Sequence, residues 1–68
     1  MSEKNKVAGT PRDRIMRAWE NSMELTRDFR LYADTTDDPE QQMIFKAFAE
    51  DEGKHAAKFK EMLEQIDK

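Results

Sequence analysis

The single histidine of the chain, His55, closes the short run Glu52-Gly53-Lys54-His55. On a helix, positions i and i+3 share a face, so this carboxylate and imidazole can ligate one divalent metal together or help bridge two. Ala49 before the run, and Ala56 and Phe59 after it, place the pair on an apolar stripe. An ionised carboxylate in that setting is costly unless something compensates it. A divalent cation would do so and would also satisfy the imidazole. The blander reading is a half-wet Glu52 paired with Lys or Arg, and a His55 hydrogen-bonded as a core residue. The absence of cysteine excludes thiolate metal sites, iron–sulfur clusters, disulfide staples and a Cys nucleophile. Glu52 and His55 are therefore the candidate metal ligands, and the pattern designates no catalytic residue.

Two helices are needed to position that pair. Thr10-Pro11-Arg12-Asp13 is a helix start: Thr10 can N-cap, Pro11 suits the first helical position, and Asp13 can close a capping box. Asp38-Pro39-Glu40-Gln41 repeats this grammar. Between them Asp34-Thr35-Thr36-Asp37 is the turn-like cluster, with Asp34, Asp37 and Asp38 as caps and turn residues rather than a calcium loop. The expected elements are helices at about 11–34 and 39–66 within a domain over 10–68, preceded by a flexible arm over 1–9. Steps of three and four residues line Ile15, Ala18, Trp19, Ser22, Leu25, Thr26, Phe29, Tyr32 and Ala33 on the first helix. They line Phe45, Phe48, Ala49, Glu52, His55, Ala56, Phe59, Met62, Leu63 and Ile66 on the second. A short connection makes the helices antiparallel neighbours. A register centred on Asp37 pairs Phe29 with Phe45, Thr26 with Phe48, Leu25 with Ala49, Ala18 with Ala56 and Ile15 with Phe59. The same register sets Ser22 opposite Glu52 and Trp19 opposite His55.

Composition narrows the class. With 2 Gly and 2 Pro in 68 residues, turn-formers are too few for a multi-strand β fold. A net charge of −3 gives no electrostatic reason to bind nucleic acid or an anionic membrane. Apolar runs fall well short of the roughly 18 residues of a spanning helix, and the polar start is unlike a signal peptide, so a cytoplasmic location is expected. A single core in a chain below about 70–80 residues rarely supplies enough stability without a disulfide, a metal or a partner. Two helices also cannot wrap both sides of these stripes, so two hairpins packing face to face is the expected remedy: a homodimer or an assembly of dimers.

From Phe29 to Leu63 the run FRLYADTTDDPEQQMIFKAFAEDEGKHAAKFKEML resembles the helical hairpin of the ferritin-like superfamily, especially rubrerythrin-type proteins. Ala33, Asp37-Asp38-Pro39-Glu40, Phe45, Ala49 and Glu52-x-x-His55 followed by Ala56 carry the likeness. The resemblance implies an all-α, two-helix antiparallel hairpin that dimerises into a ferritin-like four-helix bundle, similar to encapsulated ferritins. It implies iron, or alternatively manganese, with Glu52 as a carboxylate ligand and His55 as a terminal nitrogen ligand. It further implies ferroxidase or peroxide-reducing chemistry, fed by a separate electron donor. The family's first-helix glutamate falls at Ser22, so each pair of hairpins would offer two Glu52 and two His55. Three outcomes stay open: a single metal on the two-fold axis, a di-metal site completed by Glu20 or Glu24, or a degenerate site that holds none.

The alternative function is a non-catalytic dimerisation or protein-interaction module. The stripes would then dock on a second copy or on a helical partner protein, with Glu52 and His55 in a polar network that fixes register. Ser22 suits that reading, because its hydroxyl could hydrogen-bond Glu52. Trp19 reads as core filling, Tyr32 as a rim residue, and Met16, Met23, Met43 and Met62 as core or interface gap-fillers rather than a copper site. Gly53 reads as room for a neighbouring helix or as a local bulge.

Overall fold

The computed structural model describes residues 9–67; of the expected arm over 1–9 only Gly9 falls among them, so that expectation otherwise lies outside the described residues. Helix α1 spans Pro11–Thr35 and helix α2 spans Pro39–Ile66, joined by residues 36–38. Among the described residues there is no strand. The architecture is an antiparallel helical hairpin, and neither helix is long and apolar enough to cross a membrane.

Both helix starts follow from their capping chemistry. The Thr10 hydroxyl accepts from the Asp13 N–H at 3.1 Å, while the Thr10 N–H donates back to the Asp13 carboxylate at 3.4 Å, completing the expected box. Asp38 caps α2 by accepting from the Glu40 N–H at 3.0 Å. Each helix then has proline in its first turn, where a missing N–H costs nothing. The end of α1 differs from expectation by a residue. Thr35 stays helical, its hydroxyl donating back to the Leu31 carbonyl at 2.8 Å, and Thr36 becomes the pivot. The Thr36 N–H donates to the Tyr32 carbonyl at 3.1 Å, its hydroxyl accepts from the Asp38 N–H at 3.3 Å, and its carbonyl accepts from the Gln42 side chain at 3.0 Å. One threonine thus ties the last turn of α1 to the first turn of α2.

Packing obeys a 3.5-residue period. Buried and half-buried positions recur at Ile15, Trp19, Ser22, Thr26, Phe29 and Ala33 on α1, and at Phe45, Ala49, Glu52, Ala56, Phe59 and Leu63 on α2. Alternating steps of four and three along both helices define a coiled-coil-like seam. The best-buried members are mostly small: Ser22, Ala33, Ala49 and Ala56, with Leu63 towards the open end. The expected pairing of Phe29 with Phe45 is present, their rings stacked at 6.1 Å between centroids. Phe48 meets Phe29 edge-on at 5.6 Å and Tyr32 meets Phe45 at 5.4 Å, so a four-ring cluster fills the loop end. Met43 does not fill the interior: at 72% exposed it lies outside the seam, because its position falls between the two apolar repeats.

The open end is clamped by a contact between residues far apart in the chain. Arg12 reaches Asp67 through Nε at 2.9 Å and Nη2 at 3.3 Å, a bidentate pair on the surface. The hydrogen bond and charge of Arg12 hold the Asp67 carboxyl below its ordinary 3.8, and Asp67 in turn raises Arg12. A depressed folded carboxyl stabilises above the unfolded value and loses that contribution as pH falls through the lower folded one. Solvent screens the pair, so its effect is local fastening rather than global stability.

Two outcomes follow. Thr10→Ala should lower unfolding free energy by about 1 kcal/mol in urea titration followed by helical dichroism. Acidification below the ordinary carboxylate range should fray the open end, read as faster amide exchange in residues 14–17 and 63–66. Asp67→Asn should show that fraying already at neutral pH.

Candidate functional site

Glu52 and His55 lie near the middle of α2, on adjacent tracks of the same helix face. Glu52 belongs to the seam and keeps only 22% of its side chain exposed; His55 sits one track outward at 60%. The His55 Nδ1 and Glu52 Oε1 atoms are 3.5 Å apart, a contact too long for a strong hydrogen bond but short enough for both to reach one ion. The spacing predicted this convergence, and the continuous helix from Pro39 to Ile66 delivers it.

What surrounds the pair is apolar and uncovered. Phe48, His55 and Met62 recur at seven-residue steps on α2, and Leu25 and Tyr32 do so on α1. Each is exposed in the hairpin, Phe48 at 46%. These positions flank the seam on the side that carries the aromatic cluster, since Phe48 and Tyr32 both touch it. The candidate ligands therefore stand in the centre of a wide apolar face, with rings towards the loop and Ile15, Phe59, Met62 and Ile66 towards the open end.

Ser22 is buried at 6%, inside the seam. Its carbonyl accepts the Thr26 hydroxyl at 2.8 Å; among the described residues no hydrogen bond joins Ser22 to Glu52, whose polar contact is His55. Glu20 and Glu24 are exposed. Among the described residues, no group of three or more His, Asp or Glu side chains comes together as a metal site, so neither glutamate joins the pair within one hairpin. The hairpin thus brings together two donor groups, Glu52 and His55.

Gly53 separates the two ligands on α2. A β-carbon built there meets nothing within 4 Å outside its own helix, and the helix runs through it without interruption. Neither a local bulge nor a close approach by α1 accounts for it. A shallow cleft of about 280 Å³ lies elsewhere on the hairpin, lined by Arg30, Ala33, Asp34, Lys46, Ala49 and Glu50, and contains neither candidate ligand. Sequence reasoning missed the residues that pin the register around the site. Arg12 and Asp67 are 55 positions apart, with no local signal to pair them, whereas the Thr36–Gln42 tie was visible only as a threonine in a turn.

Compared with known proteins, the chain matches no family model, and neither a curated protein nor a solved structure gives a match.

Because nothing within the hairpin occupies the space at Gly53, Gly53→Ala should stabilise the isolated hairpin by about 1 kcal/mol through helix propensity alone. Urea denaturation at concentrations below self-association is the check; a loss of stability there would show that the position is sterically committed within one chain.

Proposed function

We propose that this chain is one half of a ferritin-like, iron-binding four-helix bundle, in which two hairpins close their apolar faces over a shared layer of Glu52 and His55. The observation that carries the reading is the placement of a half-buried carboxylate and an exposed imidazole, 3.5 Å apart, in the middle of an otherwise apolar, uncovered face. Covering such a face removes water from an ionised carboxylate, which demands a compensating charge. Two carboxylates and two imidazoles meeting across a two-fold axis match the donor preferences of a divalent first-row metal.

The donor set fits one metal better than two. Four protein ligands leave open positions on a single ion, whereas a dinuclear centre would be under-ligated with Ser22 in place of a carboxylate. Iron is the favoured ion and manganese the alternative. When bound, iron would supply one-electron chemistry towards dioxygen or peroxide, the basis of a ferroxidase or peroxide-reducing activity with a separate electron donor. The chain's own residues have defined parts in this reading. Glu52 neutralises the ion, His55 orients it from the adjacent track, Ser22 leaves room beside it, and the rings of Phe29, Phe45 and Phe48 keep water from one side.

A second reading has a specific observation in its favour. Ser22 is buried and small where a further acid would complete the site, and one hairpin assembles only two ligands. That suits a non-catalytic dimerisation or interaction module with a degenerate metal site.

Elemental analysis of protein purified without chelators, with its mass measured in solution, separates the two. The metal reading expects about one iron per pair of hairpins, lost in His55→Ala, and a rise in melting temperature on ferrous loading. Ser22→Glu sharpens the contrast: it should strengthen iron binding while destabilising the metal-free protein, since the added charge is then buried without compensation. A dimer that stays empty after anaerobic ferrous loading would leave the interaction module standing. Phe48→Glu should convert the assembly to single hairpins while preserving helicity, as Phe48 is nearly half exposed in the hairpin.

A further inference from the structure

Among the described residues every aspartate, glutamate, lysine and arginine is exposed except two, Glu52 and Asp28. Glu52 is half-buried because it belongs to the seam. Asp28 is half-buried for another reason. It precedes the seam residue Phe29 by one, as Leu25 precedes Thr26 and Tyr32 precedes Ala33. One residue turns a helix by about 100°, so Asp28 shares the track of Leu25 and Tyr32, three residues beyond one and four before the other. Its carboxylate therefore stands on the same uncovered apolar face as the Glu52–His55 pair. The ion pairs among the described residues are Arg12–Asp67, Glu52–His55 and Lys58–Glu61, and Asp28 enters none of them.

The aromatic cluster sets the height of Asp28 along the hairpin. The Phe29 ring lies 6.1 Å from that of Phe45 and 5.6 Å from that of Phe48, so this stretch of α1 runs beside residues 45–48. Glu52 is one turn further along α2, about 6 Å beyond Phe48. Because the helices are antiparallel, the step back from Phe29 to Asp28 is a step towards Glu52. One hairpin still does not gather the three side chains, since among the described residues no group of three or more His, Asp or Glu converges.

We propose that Asp28 is a third metal-binding side chain that acts across the interface, its carboxylate completing the Glu52–His55 pair of the second copy. This rests on the two-hairpin, metal-binding reading above and names the source of a further carboxylate. Asp28 stands outside the ligand pattern that the ferritin-like resemblance implies, whose first-helix acid falls at Ser22. Charge carries the argument. Closing the face would desolvate four carboxylates, Asp28 and Glu52 from each copy, and ionised carboxylates in an apolar layer need a counter-charge. Every lysine and arginine among the described residues is exposed, and Lys58, three residues beyond His55, is engaged by Glu61 at 3.3 Å. A divalent cation satisfies carboxylates and imidazole together. A donor set of two carboxylates and one imidazole from each half suits iron or manganese.

Asp28→Asn keeps the size of the side chain and removes its charge. Anaerobic calorimetry with ferrous ion should show affinity falling about tenfold or more, the scale set by losing even an outer partner of a metal ligand. The metal-free pair should tighten at the same time, because a buried charge has gone. Asp34→Asn, at an exposed position of the same helix, should change neither. Mixing tests the action across the interface. In a mixed pair of Asp28→Asn and His55→Ala chains, the intact Asp28 of one meets the intact Glu52 and His55 of the other. Ferrous binding that is weak in each variant alone should therefore reappear in the mixture. Unchanged iron affinity in Asp28→Asn, or no recovery on mixing, would overturn the proposal. So would a metal-free Asp28→Asn pair that loosens, since Asp28 would then be the partner of a lysine. Unaltered protein that pairs but takes up no ferrous ion would overturn the metal-binding reading itself, before any variant is compared.

Discussion

Where α1 meets α2 the best-buried positions are Ser22, Ala33, Ala49 and Ala56. Small side chains let two helix backbones approach closely, but they contribute little apolar area of their own. A fully buried Leu or Phe stabilises by roughly 1.5–3 kcal/mol, and in this hairpin Leu25, Tyr32, Phe48, Met62 and Ile66 remain exposed. The small seam therefore has two linked consequences. It fixes a thin, well-registered hairpin, and it pushes the large side chains outward onto a face that two helices cannot cover. Each of these large side chains keeps between 37% and 46% of its surface open to solvent.

The polar pair takes its meaning from this arrangement. In a single hairpin Glu52 is only partly desolvated and His55 is open to water, so both can be carried at little cost. Closing the face changes that balance at once, because an ionised carboxylate moved from water to an apolar layer needs a counter-charge or a full set of hydrogen bonds. Ser22 does not hydrogen-bond Glu52 among the described residues, and no cation of the chain pairs with it there. In the proposed assembly, compensation would have to arrive with the second hairpin or with an ion, which would couple assembly to the chemistry of the Glu52–His55 layer.

Much of the fold was legible in the residues themselves. Threonine or aspartate followed by proline marked both helix starts, because capping and a fixed φ act locally. The alternating three- and four-residue steps marked the seam, and the Phe29–Phe45 stack followed from the shortness of the connection. The Glu52–His55 contact was equally readable, since one continuous helix sets it. Long-range fastening was not. Arg12 meets Asp67 only after the hairpin has formed, and Thr36 gains the Gln42 side chain only once α2 has begun. The emptiness around Gly53 is a property of space rather than of sequence, so no pattern could announce it.

Those long-range ties matter because the site depends on register as well as on α2. A slip of one seam step between the helices would change which α1 seam residue, Trp19, Ser22 or Thr26, faces Glu52. Three devices oppose such a slip. The Thr36 network fixes the loop, the four-ring cluster fixes the layer behind it, and the Arg12–Asp67 pair closes the far end. Each is modest alone: an aromatic pair adds about 0.5–1.5 kcal/mol beyond its buried area, and an exposed ion pair less. They lie at different heights along the hairpin, however, so any uniform slip must break all three together. The register of the hairpin is thereby held from both ends, and with it the level of α1 that Glu52 faces.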